Sequence, residues 1–179
     1  YIATSDLPPV ELTHPAFEEA EATVNTKVDK LLSINGNKTA TEFHRQLGKI
    51  LWDRVGMSRD RSGLETAIAQ IAELRQEYWS NVIIPQDKHT FNKHLEFAGR
   101  VADFLELGEL MARDALDREE SCGAHFREEC QTPEGEAQRN DEHYAYIAAW
   151  QYQGDEKAPT LHQEKLEFDN VELTQRSYR

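Results

Sequence analysis

The chain is 179 residues long, enough for one domain with its own core or for a domain with a smaller piece appended. It carries 33 Asp plus Glu against 20 Lys plus Arg, a net charge of −13, and such a surface repels phosphate backbones and anionic lipid, which argues against nucleic-acid binding and direct membrane insertion. No apolar run approaches the roughly 18 residues that span a bilayer, and no basic-then-apolar export signal opens the sequence.

Residues 1–14 hold Pro8 and Pro9 without helical periodicity, and Pro15 follows, so they read as an extended linker from an upstream segment. The chain begins at Tyr1 with no initiator Met and is expected to be a piece of a longer polypeptide. From Phe17 onward, Phe17, Ala20, Val24, Val28, Leu31 and Leu32 fall on one face of a first helix, which Asn35-Gly36-Asn37 ends. Thr39-x-x-Glu42 has the form of a capping box and opens a second helix with Phe43, Leu47, Ile50, Leu51 and Val55 on its inner face, stopping near Gly56. A second such box, Ser62-x-x-Glu65, predicts the start of a third helix carrying Leu64, Ala67, Ile68, Ile71, Leu74 and Tyr78. Val82-Ile83-Ile84-Pro85 reads as a connection. Leu95, Ala98, Ala102, Leu105, Met111, Ala115 and Leu116 then mark a fourth long helix, with Gly99 and Gly108 inside it.

The fold class is therefore mainly α: an antiparallel bundle of about four helices over residues 15–118, followed by an irregular tail over 119–179. In that tail the segments 144–152 and 161–173 alternate apolar and polar residues around Gly154-Asp155, which predicts a short β-hairpin. Two strands alone are marginal in water, so the tail is expected to lean on the bundle, on an absent domain, or on both.

Sites of known chemistry are sparse. A di-metal centre in a bundle needs Glu-x-x-His on two helices; the one match, Glu11-x-x-His14, lies in the entry linker, and His44, His89, His94, His143 and His162 read as surface or capping residues. Cys122 and Cys130 are too few for a disulfide scaffold or a thiolate zinc site and lack CxxC spacing, so they read as reduced thiols of a cytoplasmic protein. No HExxH, Walker A, GxGxxG or GxSxG element occurs, so no catalytic, cofactor-binding or metal residue is assigned to the chain. The densest polar cluster is Arg118-Glu-Glu-Ser-Cys-Gly-Ala-His-Phe-Arg-Glu-Glu129. It is either a solvated charged loop behind a helix end, or a segment in which His125 with Arg118 and Arg127 binds an anion or sits at an interface. Spacing leaves both readings open.

The run Arg118-Glu-Glu-Ser-Cys-Gly-Ala-His125 resembles the Arg-x-Glu-Ser-Arg-Gly-Ala-His element of succinate dehydrogenase and fumarate reductase flavoprotein subunits. The Ser62-Gly-Leu-Glu65 helix and the end at Arg176-Ser177-Tyr178 are similar to the same family. Glu120, Ser121, Gly123, Ala124 and His125 match position by position, whereas Cys122 stands where many members have Arg, so no role of that arginine's charge carries over. The resemblance implies that the chain is a C-terminal structural and docking region, inactive by itself and without its own cofactor. It further implies that Arg118, Glu120, Ser121, Gly123, Ala124, His125, Arg127, Arg176, Ser177 and Tyr178 face the rest of the subunit. The parent would bind FAD in upstream FAD-binding and capping domains and interconvert succinate and fumarate. It would exchange electrons with an iron–sulfur subunit and quinone, in a complex peripheral on the cytoplasmic face of the inner membrane. The related L-aspartate oxidases are the second choice. A stand-alone bundle that binds a metal or serves as an adaptor is the reading from another class.

Overall fold

A computed structural model of the chain describes residues 3–6, 11–85, 90–154, 157–174 and 177. Helix α1 (Pro15–Ser33) starts where Pro15 fixes a helical φ and the His14 ring Nδ1 accepts the amide of Ala16 at 3.2 Å. His14 is thus a helix cap. Of the six apolar positions expected on its inner face, only Leu31 is buried, with Val28 and Leu32 half-buried. Phe17 remains 50% exposed and Val24 62%. The reason is where the helix is held: its second half carries the Lys27–Asp103 ion pair at 2.9 Å and the Lys30 ammonium 4.2 Å from the Trp79 ring. Among the described residues nothing covers the first half.

Strand β1 (Lys38–Thr39) leads into helix α2 (Ala40–Ile50), and the expected capping box is formed in full. The Thr39 amide donates to Glu42 Oε2 at 2.8 Å, and the Glu42 amide donates back to Thr39 Oγ1 at 3.3 Å. A wider π-type turn, Leu51–Val55, follows before Gly56 ends the run. It buries Val55 and turns Trp52 outward, 85% exposed.

Strand β2 (Ser58–Arg59) precedes helix α3 (Arg61–Asn81). Its cap is not the expected Ser62 but Asp60, whose Oδ1 accepts the Gly63 amide at 2.8 Å while its carbonyl accepts Leu64 N at 3.0 Å. Asp and Ser are near-equal caps, so the one standing before the first helical residue takes the role. Ser62 and Glu65 then lie inside the first turns, Glu65 beside Arg61. Beyond α3, β3 (Val82–Ile83) pairs parallel with β1, Lys38 opposite Val82 and Thr39 opposite Ile83, where the sequence suggested only a connection. Gly36 makes the approach possible: an added Cβ there would sit 1.8 Å from the Asn81 carbonyl oxygen.

Helix α4 (Lys93–Asp117) is capped by the buried Asn92, whose Oδ1 accepts the amides of His94 and Leu95, each at 3.0 Å. Its inner stripe is Ala98, Val101, Ala102, Leu105, Ala112 and Ala115. Met111, expected in that stripe, points out because it lies about 100° around the axis from Ala112. Strand β4 (Phe126–Arg127) pairs parallel with β2, a short helix α5 (Asp141–Tyr144) follows, and β5 (Tyr146–Gln151) pairs antiparallel with β6 (Thr160–Lys165). The hairpin is as expected, with Gly154 at φ +100° beside its turn, although Asp155 lies outside the described residues. The second strand ends at Lys165, well short of 173, and Phe168, Val171 and Leu173 stay exposed.

The fold is thus a mainly α helical bundle with a β-hairpin tail. Its contacts group into two units. The first, Tyr1–Leu47 with Glu73–Glu106, is cored by Leu31, Phe43, Leu47, Tyr78, Val101 and Leu105, with Phe43 edge-on to Tyr78 at 5.1 Å. The second, Gly48–Ala72 with Leu107–Arg179, is cored by Val55, Leu64, Ala67, Ala112 and Ala115 and contains the motif segment. No helix among the described residues is long and apolar enough to cross a membrane.

Candidate functional site

A helix of this length leaves its last carbonyls without intrahelical partners, and a residue following α4 must satisfy them. Arg127 does so from strand β4. Its Nη1 donates to the carbonyls of Ala115 at 3.0 Å, Leu116 at 3.1 Å and Arg118 at 3.5 Å, and its Nε donates to Glu129 Oε2 at 3.2 Å. The residue is only 2% exposed. A guanidinium suits the place because its donors fan out in a plane and its charge meets the negative end of the helix dipole.

Getting Arg127 there requires the chain to reverse between Ser121 and Phe126. The reversal is a tight turn in which Cys122 and His125 exchange backbone hydrogen bonds of 2.9 and 3.0 Å, with Gly123 at φ +60°. That conformation favours glycine, which explains the Gly at this point of the motif. Ser121, fully buried, closes the base: its hydroxyl accepts the Arg127 amide at 2.8 Å and donates to the Arg127 carbonyl at 3.2 Å.

Glu120 is also buried, and each of its oxygens has a partner. Arg118 Nη1 donates to Oε1 at 2.7 Å, and the Asn140 amide donates to Oε2 at 2.8 Å. Arg118 continues outward to the carbonyls of Tyr144 and Tyr146 at 3.3 and 3.4 Å, with its guanidinium near both rings. Trp150 Nε1 reaches Asp114 at 2.8 Å and the Tyr146 hydroxyl reaches Asp117 at 3.2 Å, so the hairpin is tied to the end of α4. Burial drives the Tyr144 and Tyr146 phenols upward in pKa, with Asp117 adding to it.

His125 Nε2 lies 2.8 Å from the Arg118 carbonyl, which defines it as the protonated nitrogen. Burial lowers the ring's pKa; the carbonyl opposes that, and the charges of Arg59, Arg127 and Arg118 add to the lowering. The imidazole is therefore neutral near pH 7. The structure brings together Arg118, Glu120, Ser121, Gly123, Ala124, His125 and Arg127 in one turn. Ser177 is separate from it, its Oγ donating to Glu136 at 3.1 Å, and Arg176 and Tyr178 lie outside the described residues.

Sequence reasoning passed over Arg59, which stands opposite Arg127 in the β2–β4 ladder. Only the parallel pairing joins them, and no local spacing in the sequence signals it. Cys122 and Cys130 are free thiols, and burial raises the Cys130 pKa. Among the described residues no three His, Cys, Asp or Glu side chains gather as a metal ion would require.

A dinucleotide needs an open helix N-terminus behind a strand for its pyrophosphate. Among the described residues, the turns from β1 to α2 and from β2 to α3 have that order, but Glu42 and Asp60 place carboxylates there. At these two helix starts the carboxylates present do not fit a flavin pyrophosphate.

A family model described as "Fumarate reductase flavoprotein C-term" matches residues 44–178. The fumarate reductase flavoprotein subunit of Haemophilus influenzae is 24% identical over 127 residues, which is 71% of this chain and 21% of that protein. The L-aspartate oxidase of Synechocystis sp. is 25% identical over 134 residues, 66% of this chain and 24% of that protein. Among solved structures, quinol fumarate reductase FrdA of E. coli superposes with a TM-score of 0.79 at 21% identity, covering 97% of this chain and 28% of that one. The chain thus spans about a quarter of the length of the relatives it matches. With the family model covering three quarters of its length, the chain belongs to the C-terminal domain family of fumarate reductase and succinate dehydrogenase flavoprotein subunits.

Proposed function

We propose that the chain acts as the C-terminal supporting and docking region of a longer FAD-dependent subunit that interconverts succinate and fumarate. Residues 1–14 would link it to upstream FAD-binding and capping domains, 15–118 would form the bundle, and 119–179 the tail that packs on both. An iron–sulfur subunit is the proposed electron partner, in a complex held at the cytoplasmic face of the inner membrane. The single observation that carries this reading is the family match over 44–178 in a chain about a quarter as long as its relatives. FAD would supply the hydride chemistry in the parent; this chain contributes shape, charge and attachment.

The turn bearing the family motif faces the missing part in this proposal. His125, Arg176, Ser177 and Tyr178 offer the polar contacts, and each charge-assisted bond across such a surface contributes roughly 1.5–3 kcal/mol. The test is made in the full subunit. His125→Ala or Arg176→Ala is expected to lower flavin content or association with the iron–sulfur subunit while the melting temperature of the 179-residue chain changes little. Normal flavin loading, assembly and turnover in both variants would remove the docking role. The chain alone is expected to be colourless and inactive with succinate and fumarate, and retention of flavin absorbance through gel filtration would contradict that.

A further inference from the structure

Burying a cation without a counter-charge is costly, so partly buried arginines normally face a carboxylate. Around the motif turn Arg118 holds Glu120 at 2.7 Å, Arg127 holds Glu129 at 3.2 Å, Arg139 holds Asp141 at 2.6 Å, and Arg61 pairs with Glu119. Arg59 does not follow them. It is partly buried, its Nε donates to the Gly56 carbonyl at 3.1 Å, and its two Nη groups have no partner among the described residues. The nearest carboxylate in sequence, Asp60, is occupied with the Gly63 amide.

The ladder determines what surrounds Arg59. In the parallel pairing of β2 with β4, Arg59 stands opposite Arg127, and the Glu128 amide donates to the Arg59 carbonyl at 2.9 Å. Partners in register project to the same face of a ladder, and so does a residue two positions along, which is His125. His125 feels the charges of both Arg59 and Arg127, consistent with a shared face. Of the groups on this face, Arg127 is committed to the α4 carbonyls and Glu129, and His125 donates through Nε2 to the Arg118 carbonyl.

We infer that Arg59, flanked by His125 and Arg127, is the receiving group of a carboxylate-binding site. Two open Nη donors in one plane match the two oxygens of a carboxylate in a bidentate pair. The charge matches too: with Arg127 and Arg118 offset by their own carboxylates and the imidazole neutral, the site presents one net positive charge, suited to a monoanion. The inference rests on this chain's own residues and is independent of the parent's activity.

The test is a side-chain NMR titration of the 179-residue chain at constant ionic strength, following Arg59 Nε and the His125 ring. One arm uses acetate and the other a blocked tripeptide with a central glutamate. The expected result is a saturable shift of both signals, lost in Arg59→Gln and weakened in Arg59→Lys, which keeps the charge without the fork. Tighter binding of the tripeptide would mark a carboxylate presented by a polypeptide; equal binding would mark a free small carboxylate. No saturable shift in either arm, or an Arg59→Gln chain that responds as the wild type does, overturns the site. Should Arg59→Gln fail to fold, the wild-type titration and Arg59→Lys decide it.

Discussion

Helix α1 and the motif turn after α4 distribute polarity in opposite senses. The helix carries an amphipathic stripe, yet half of that stripe lies in solvent, with Phe17 and Val24 exposed. The turn is charged and glycine-containing, yet it buries Glu120, Ser121 and Arg127 almost completely. Apolar patterning is a statement about what can be buried, and burial itself needs a facing surface. The first half of α1 has none among the described residues. The turn has one, because the end of α4 offers unsatisfied carbonyls that only a donor-rich side chain can fill.

The largest effect that sharpens this contrast is expected from Arg127→Met. It strands the α4 carbonyls in a buried setting, while Glu129 stays hydrated, and is expected to cost about 1–3 kcal/mol for each carbonyl left without a donor, measured by denaturant unfolding. Val24→Ser on α1 is expected to stay within about 0.5 kcal/mol of the wild type. Equal losses in the two variants would break the comparison.

Gly36→Ala comes next, since its Cβ would meet the Asn81 backbone and force β1 and β3 apart. A loss of about 1–3 kcal/mol is expected, with exchange of the Gly36 and Asn37 amides accelerated. Tyr78→Phe removes the hydroxyl that donates to the Ala98 carbonyl at 2.6 Å in the apolar core of the first unit, for about 1 kcal/mol. That smaller figure against Arg127→Met would show that polar bonds matter more in the motif turn than where packing dominates.

The smallest effects are pH-dependent and oppose each other in position. His125 has its pKa lowered on folding, so the unfolded chain binds the extra proton. Its contribution is neutral at high pH, and stability is lost as pH falls below about 6.5, the ordinary histidine value. His125→Gln, which keeps a donor toward the Arg118 carbonyl, is expected to flatten that limb. Glu42 behaves as a lowered carboxylate, held down by the Thr39 amide and hydroxyl. Its stabilisation is present above about pH 4.3 and is lost as pH falls through its folded value, a limb that Glu42→Gln is expected to remove.

Much of the fold was legible because helix signals are local. The Thr39–Glu42 box, the four-turn stripe of α3 and the alternation in β5 are each read from neighbouring residues, and each appears in the structure. The errors fell where two local signals competed or where a neighbour was needed. Ser62 lost the capping role to Asp60 because both are competent and position decided. Met111 lay beside the inner stripe of α4, a difference of one residue that composition does not register.

The sequence by itself determined the helical segments, the hairpin and the family motif, since these rest on periodicity, caps and residues close in the chain. Only the tertiary structure decided what the motif's charges do. It paired β2 with β4, sent Arg127 inward to the end of α4, gave Arg118 to Glu120, and left Arg59 with open donors among the described residues. The physical reason is that a charge acquires a role from the partners within a few ångströms of it. Partners such as Arg59 and Arg127, far apart in the chain, become neighbours only when two-residue strands pair.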